Sequence, residues 1–339
     1  MTAAQARSPE AQTTSRVAVL IVNYNSDGHL SRCLQALSKQ EVLGFRTIVV
    51  DNASSDGSAD TIERDFSWAR LVRPGKNLGF AAGNNLAARY AKDCDWFITL
   101  NPDAFPEPGW LKALLRAADE HPQFAMFQAK LITDADRTIL DGAGDVYHVS
   151  GLHWREAHMC PANEIYDERR EIFSPCAAAA MYRRDAFDQA HGFDEDFFCY
   201  AEDVDLGFRL RLVGHRALYV PDAVVYHVGS ASTGRRSDFS VYYGQRNLVW
   251  SFVKNMPPWL LFAYLPLHLL MNIAVVALLA PRGQAGVAWR AKVDAFQGLR
   301  PMLAKRRTIQ PTRTVSGREL LAVMARGWPR RNGRLFVSV

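Results

Sequence analysis

Three acidic side chains, Glu202, Asp203 and Asp205, fall within four positions of the run Tyr200-Ala201-Glu202-Asp203-Val204-Asp205-Leu206. A carboxylate placed there could take the proton from an attacking hydroxyl as a new bond forms. The backbone dipole also favours acids at a helix N-terminus, so capping accounts for one or two of the three. Asp205 is then either exposed or paired with an arginine. Further upstream, polar residues recur as Asn23-Tyr24-Asn25, Asp51-Asn52, Asn77 and Asn101-Pro102-Asp103. Asp103 offers the hard oxygen that a divalent cation takes together with waters and substrate phosphates. His227, in Tyr226-His227-Val228, is a candidate second ligand, although a lone histidine is often structural.

Chemistry of this kind needs a scaffold that brings distant residues to one place. The upstream polar sites follow short apolar runs at 17–22 (VAVLIV), 47–50 (TIVV), 71–72 and 96–100. Amphipathic stretches separate them. Residues 30–37 put Leu30, Cys33, Leu34 and Leu37 on one face, a helix opens at Asp56-Gly57-Ser58, and another covers 80–92. Continuous apolar strands alternating with helices predict an α/β fold, a Rossmann-like, mostly parallel sheet with helices on both faces. Such sheets bind ligands beyond the carboxyl ends of their strands. Asn and Asp favour turns for local reasons, but four such sites at successive strand ends would share one edge.

The middle of the chain is less regular. Residues 129–175, with Gly142, Gly144 and Gly151, read as hairpins and loops over the cleft. Helices are expected at 185–190 and 203–212, and two strands at 217–220 and 224–226 around a Pro221-Asp222 turn. Residues 229–238 (GSASTGRRSD) read as a loop carrying Arg235 and Arg236. Arg246 follows in a helix over 242–253, and any of these arginines could clamp a diphosphate.

Composition narrows the classes. The 339 residues suffice for a full core, and 48% hydrophobic with 22% charged content excludes global disorder. Five cysteines without a C-x-x-C pair argue against a structural zinc site or a disulfide framework, and for a reducing compartment. Residues 282–339 hold 13 Lys/Arg against Asp294 and Glu319, so the first 281 residues carry a net charge of −6 within a chain of +5. An acidic body and a basic tail predict different partners. No aromatic-basic recognition module points to nucleic acid.

The Asn-Tyr-Asn at 23–25 and the segments VVDNASSDGS, KNLGFAAGNN, FITLNPDA and GFDEDFFCYAEDVDLGFRLR occur in that order. They resemble family 2 glycosyltransferases of the GT-A fold, and within that group bacterial rhamnosyltransferase-like enzymes of cell-surface polysaccharide assembly. The resemblance covers about residues 17–255 and implies an inverting, metal-dependent transfer from a nucleoside-diphosphate sugar, dTDP- or UDP-linked, to a glycan or lipid-linked acceptor. It implies that Asn23, Tyr24, Asn25, Asp51 and Asn77 line the nucleotide site, with Tyr24 against the base and Asp51 on its edge. Asp103 and His227 would hold Mg2+ or Mn2+ at the diphosphate. Asp203 would be the catalytic base, with Glu202 as the alternative. The family's metal motif is usually Asp-x-Asp; its first position here is Asn101, which suits a hydrogen bond to ribose or phosphate.

Domain boundaries follow from the same reading. Residues 1–16 form a disordered leader without the apolar core of a signal peptide. The catalytic domain covers 17–255, a hydrophobic membrane-associated segment 256–281, and a basic tail 282–339. The apolar run 259–280 would reach about 33 Å as a helix, enough to span a bilayer. Pro266, the polar pair His268 and Asn272, and the basic tail favour a re-entrant or interfacial attachment at the cytoplasmic face. Trp289, Val293, Phe296 and Leu303 mark an apolar stripe beside Arg290, Lys292, Arg300 and Lys305, Arg306 and Arg307. This pattern suits an anionic membrane surface. The bland alternative is a helix packed on the protein.

Two other functions fit parts of the sequence. One is a nucleotidyltransferase that makes sugar nucleotides on a similar sheet, which commonly carries a Gly-rich basic loop after the first strand where this chain reads NYNSDGHL. The other is a non-catalytic subunit held to a membrane partner through the tail.

Overall fold

The computed structural model describes residues 16–26, 28–162, 166–229, 237–327, 330–331 and 334–335. The expected leader, apart from Arg16, and the Arg235-Arg236 loop lie outside the described residues.

Strand β1 (Val17–Asn23) is buried along its whole length and lies between β2 (Arg46–Asp51) and β4 (Trp96–Leu100), parallel to both. Strand β3 (Arg70–Val72) extends this parallel half beyond β2. Alternate residues of β1 enter different cores, as the two-residue repeat of a strand requires. Val17, Val19 and Ile21 join the cluster under α1 (Gly28–Ser38) and α4 (Trp110–Glu120), and Ala18 and Leu20 join the one under α3 (Gly79–Arg89). Helix α1 buries the four residues its periodicity predicts, Leu30, Cys33, Leu34 and Leu37. Helix α3 approaches the sheet on small residues, and a Cβ on Gly83 would come within 2.9 Å of Val22.

The rest of the sheet is mixed. Strand β11 (Ala179–Arg183) runs antiparallel between β4 and β6 (Phe124–Thr133), and β12 (Arg216–His227) runs parallel to β6. The two short strands expected around Pro221 are instead this one 12-residue strand. Its register against β6 slips between Val220 and Val224, and such a bulge accommodates a proline that has no N–H to give. Strand β5 (Ala104–Pro106) pairs with β12, β7 (Leu140–Gly142) with β6, β8 (Asp145–Tyr147) with β9 (His153–Arg155), and β10 (Arg170–Ile172) with β12, so the irregular middle does supply hairpins. Helices α5 (Arg184–Gln189) and α6 (Glu202–Leu212) follow β11.

The chain closes with helices α7 (Asp238–Asn255), α8 (Pro258–Leu279), α9 (Ala285–Gln297), α10 (Leu299–Ile309) and α11 (Gly317–Val323). Helix α11 opens on a reciprocal capping box between Ser316 and Glu319. Helices α9 and α10 both pack on α7, and α8 is the one helix among the described residues long and apolar enough to cross a membrane.

Candidate active site

The parallel register sets Asn23 opposite Asp51 at one sheet edge. Asn23 is fully buried and its Nδ2 lies 2.9 Å from Asp51 Oδ1 and 2.8 Å from Ser58 Oγ. Asn25 has φ 46°, and its side-chain oxygen accepts from the Ser55 N–H at 2.8 Å. Tyr24 stands between them, more than a third exposed. Asn52, named with Asp51 at a strand end but given no role by the sequence, donates to the Gly79 carbonyl at 3.0 Å, while Asn77 accepts from the Gly79 N–H at 2.8 Å. Both asparagines therefore fix the start of α3.

A second corner forms where β5 pairs with the end of β12. The antiparallel register sets Ala104 opposite His227, and the Val228 N–H donates to the Asp103 carbonyl at 3.0 Å. His227 Nε2 thus comes 3.3 Å from Asp103 Oδ1 and 3.3 Å from Asn101 Nδ2. Its Nδ1 faces Asp141 Oδ2 at 2.7 Å. Burial raises the Asp141 carboxyl, but Arg155 and His227 outweigh it and hold the group well below the usual carboxylate range. An ionised carboxylate can only accept, so Nδ1 carries the proton. Burial lowers the His227 pKa, yet Asp103 and Asp141 on either side bring it up to about 9.

This donor set fits a divalent cation. A carboxylate oxygen and an imidazole nitrogen converge at one point, and a second carboxylate behind the ring orients it, the usual support of a metal-bound histidine. Asp141 and Arg155 were not legible as site residues. Asp141 is 86 positions from His227, in a Gly-rich stretch without periodicity. A Cβ on Gly142 would collide with the Arg155 stem, so the glycine makes room for the arginine.

The acid-rich segment forms a third corner. The α6 N-terminus is reached through Phe198, Tyr200 and Ala201, with φ of 63°, 68° and 64°. These are left-handed conformations that non-glycine residues avoid and that cluster where surrounding structure over-determines them. Phe198's carbonyl accepts from the Phe80 N–H at 2.7 Å and the Ala81 N–H at 3.2 Å, locking the segment to α3. Asn247 holds it from the other side: its Nδ2 lies 2.9 Å from the carbonyls of Phe197 and Cys199 and 2.7 Å from that of Tyr200.

The three acids part company here. Asp205 is fully buried and bonded to Arg209 Nε at 2.9 Å, Lys254 Nζ at 2.7 Å and Asn255 Nδ2 at 2.8 Å, so of the two alternatives it takes the structural one. Glu202 is buried, and burial together with Asp203 pushes its carboxyl well above the usual range, toward the neutral acid. Asp203 is partly exposed, with Oδ2 accepting from the Ala177 N–H at 2.9 Å and Oδ1 from the Val204 N–H at 2.8 Å. Asp145 and Cys176 bring ligand atoms within 4.8 Å of one another and of Asp203. Burial, followed by Asp203, pushes Asp145 well up, and burial does the same to the Cys176 thiol. Both are thereby pushed toward their protonated forms, unlike Asp141 behind His227. Arg246 lies at this corner too, its Nη2 donating to the carbonyls of Asp196 at 2.9 Å and Phe197 at 3.1 Å and its guanidinium 4.1 Å from the centre of the Trp250 ring. Its position braces the segment before Phe198.

The cation corner and the Asp203 corner meet at the start of β11. Ala177 donates to Asp203, and the next residue, Ala178, accepts from the Asn101 N–H at 3.0 Å. Asn101 and Asp203 are thus stitched to consecutive residues of one strand end. Arg155, bonded to Asp141 behind His227, also feels the charge of Asp203.

These three corners lie at one edge of the sheet, where α/β sheets bind their ligands. Residues 18–190, just over half the chain, match the model of glycosyl transferase family 2. An N-acetylglucosaminyl-diphospho-decaprenol L-rhamnosyltransferase of Mycobacterium tuberculosis is 32% identical over 243 residues, covering 66% of this chain and 79% of the relative. The rhamnosyltransferase WbbL of Escherichia coli is 27% identical, over 66% and 87% of the two chains. Among solved structures, a Pyrobaculum calidifontis mannosyltransferase in complex with GDP-Man and Mn2+ superposes with a TM-score of 0.52 at 21% identity, over 88% and 84% of the chains, a likeness of fold. The chain belongs to glycosyl transferase family 2. It is a glycosyltransferase of the GT-A fold, which removes the nucleotidyltransferase and the non-catalytic subunit from consideration.

Proposed function

We propose that this enzyme moves a sugar, rhamnose by analogy with its relatives, from a dTDP- or UDP-sugar to a lipid-linked glycan acceptor at the cytoplasmic face of a membrane. Transfer is inverting and needs a divalent cation, Mg2+ or Mn2+. The observation that carries this reading is the pair of consecutive residues Ala177 and Ala178, which ties Asp203 to the loop holding Asp103.

Each residue then has a task. Tyr24 and Asp51, with Asn23 and Asn25 fixing their loop, receive the base, and Asn77 and Asn101 hold the ribose and phosphates. Asp103 and His227 would hold the cation, with Asp141 keeping the Nε2 of His227 turned toward it. When bound, the cation offsets the charge that grows on the departing diphosphate. Asp203 takes the proton of the acceptor hydroxyl as that oxygen attacks the anomeric carbon from the face opposite the leaving group. Two backbone N–H donors pin its carboxylate, and neutral Asp145 and Cys176 stand beside it without adding charge. Glu202, buried and held toward its neutral form, is a poorer base than its neighbour. Arg246 acts by bracing the 196–197 turn.

A donor panel with a polyprenyl-diphosphate-linked acceptor, scored for nucleoside diphosphate release with and without Mg2+ or Mn2+, tests the proposal. Release from a dTDP- or UDP-sugar, abolished by chelator and dependent on the acceptor, is the expected result. Turnover undiminished by chelator would refute the metal requirement.

A further inference from the structure

The C-terminal helices divide their side chains in an unusual way. On α9 the residues turned into the protein are the small ones, Ala288, Ala291 and Ala295, whereas Trp289 and Phe296 are 63% and 75% exposed. A helix stabilised only by its own fold buries its large apolar residues, because the gain scales with the area removed from water. Helix α8 buries one apolar face and exposes another. Met271, Val275 and Leu279 join Val241 and Leu248 of α7 and Ala288 of α9 in one cluster, while Phe262 is 72% exposed, Leu269 55% and Ile273 68%. An exposed apolar surface contributed by adjacent helices marks a site of contact.

Charge identifies what makes that contact. Lys292, Lys305 and Arg306, read from the sequence as part of the basic face, turn inward. Lys292 donates to the Gln245 carbonyl, Lys305 pairs with Asp194 and Asp196, and Arg306 donates to the carbonyls of Val253 and Met256. Arg282, Arg290, Arg300 and Arg307 remain exposed, and among the described residues none of them forms an ion pair with a carboxylate. Large apolar groups flanked by unneutralised arginines match the acyl and headgroup layers of an anionic bilayer.

The path of the chain sets the orientation. Near its start α8 is anchored by Leu260, which shares a cluster with Phe252 and Met256, and midway by His268, whose ring stacks on Phe252 at 3.9 Å and whose Nδ1 meets the Ser150 carbonyl at 2.7 Å. At its end Leu279 packs beside Val241, and α9 returns at once to α7, with the Trp250 indole donating to the Ala295 carbonyl at 2.9 Å. A helix fastened to one domain at its start, middle and end cannot carry the chain to the far side of a bilayer.

We infer that α8, α9 and α10 form a single monotopic docking surface that lies flat in one leaflet of an anionic membrane, with the catalytic fold and α11 on the same side. This inference specifies the membrane attachment in the function proposed above and rests on that reading for the choice of leaflet only.

Co-sedimentation of the full chain with vesicles of 30% phosphatidylglycerol in phosphatidylcholine, without donor or acceptor, tests it. The expected result is binding that weakens about 100-fold when Arg290, Arg300 and Arg307 are replaced by glutamine, and that is lost in Phe262→Ser/Ile273→Ser/Phe296→Ser. Both variants should keep the wild-type circular dichroism spectrum and their turnover of a short-chain soluble acceptor. An epitope at the C-terminus should stay open to trypsin added outside the vesicles. Wild-type protein left in the supernatant would overturn the inference, as would a protected epitope. So would light scattering that shows a dimer which the serine variant dissociates, because the face would then belong to a second copy. Binding is read without catalysis, so its failure leaves the transferase assignment standing, and an inactive enzyme that still binds vesicles leaves the docking surface standing.

Discussion

At the scale of single residues, the account separates acids that the sequence sets side by side. Asp203→Asn should lower the transfer rate by about 10²–10⁴ while calorimetry finds donor binding nearly unchanged. Glu202→Gln should lower it far less, since that carboxyl is already pushed toward its neutral form. His227 gives a pH test with a definite sign. Its pKa in the fold is raised from 6.5 to about 9, so the stabilisation it contributes to the metal-free protein is complete below 6.5 and lost as pH rises through about 9. The melting temperature of the chelated protein should therefore fall over that window, and His227→Gln should flatten the fall. A cation must displace that Nε2 proton, so calorimetry in buffers of different ionisation enthalpy should find about one proton released per cation bound near pH 7. The sequence made Asp103, Asp203 and His227 visible because each sits at an element boundary. It hid Asp141, Arg155 and Asp145, whose relevance arises only where two hairpins fold over the sheet edge.

At the scale of elements, the segment from Phe198 to Ala201 is the part under most constraint. Gly79, itself at φ +78°, is pressed against it, and an added Cβ would lie 2.5 Å from the Phe198 ring and 2.6 Å from its carbonyl oxygen. Gly79→Ala should cost about 1–3 kcal/mol in chemical denaturation. Asn247→Ala would strip a donor from buried carbonyls, costing about 1–3 kcal/mol, and should lower kcat more than it weakens donor binding, because the segment delivers Asp203. Equal losses of kcat and donor affinity would assign Asn247 to the nucleotide site instead. The parallel strands β1 to β4 were legible from their apolar runs, and α1 from its period, whereas β6, parallel to β12, was not read as a strand. Strand β11 was not, because Ala177–Ala180 is a run of alanines that favours no sheet. Its antiparallel insertion is what joins the Asn101 and Asp203 corners. Pro221 misled in the opposite direction: it reads as a break, whereas a bulge carries β12 through it.

At the scale of the whole molecule, the catalytic fold and the C-terminal helices share a buried ionic centre. Lys254 is fully buried and pairs with Asp194 and with Asp205, while Lys305 of α10 reaches Asp194 from the other side. Lys254→Met would leave two carboxylates without their shared cation and should destabilise the protein by about 3–5 kcal/mol, read as a lowered denaturation midpoint. This centre lies under the acid-bearing helix, so the tail is bound to the site rather than appended to it. The sequence revealed the tail's charge and its apolar stripe; what it concealed was direction. Alanine carries little signal for burial, and three of the basic residues counted on the outside turn inward.

The division of labour between Asp103 and Asp203 is tested most directly by measuring cation-dependent donor binding and sugar transfer side by side in Asp103→Ala and Asp203→Ala. The account predicts that Asp103→Ala loses both cation-dependent binding and transfer, whereas Asp203→Ala binds donor and cation as the wild type does and transfers nothing. Wild-type turnover in Asp203→Ala would contradict it.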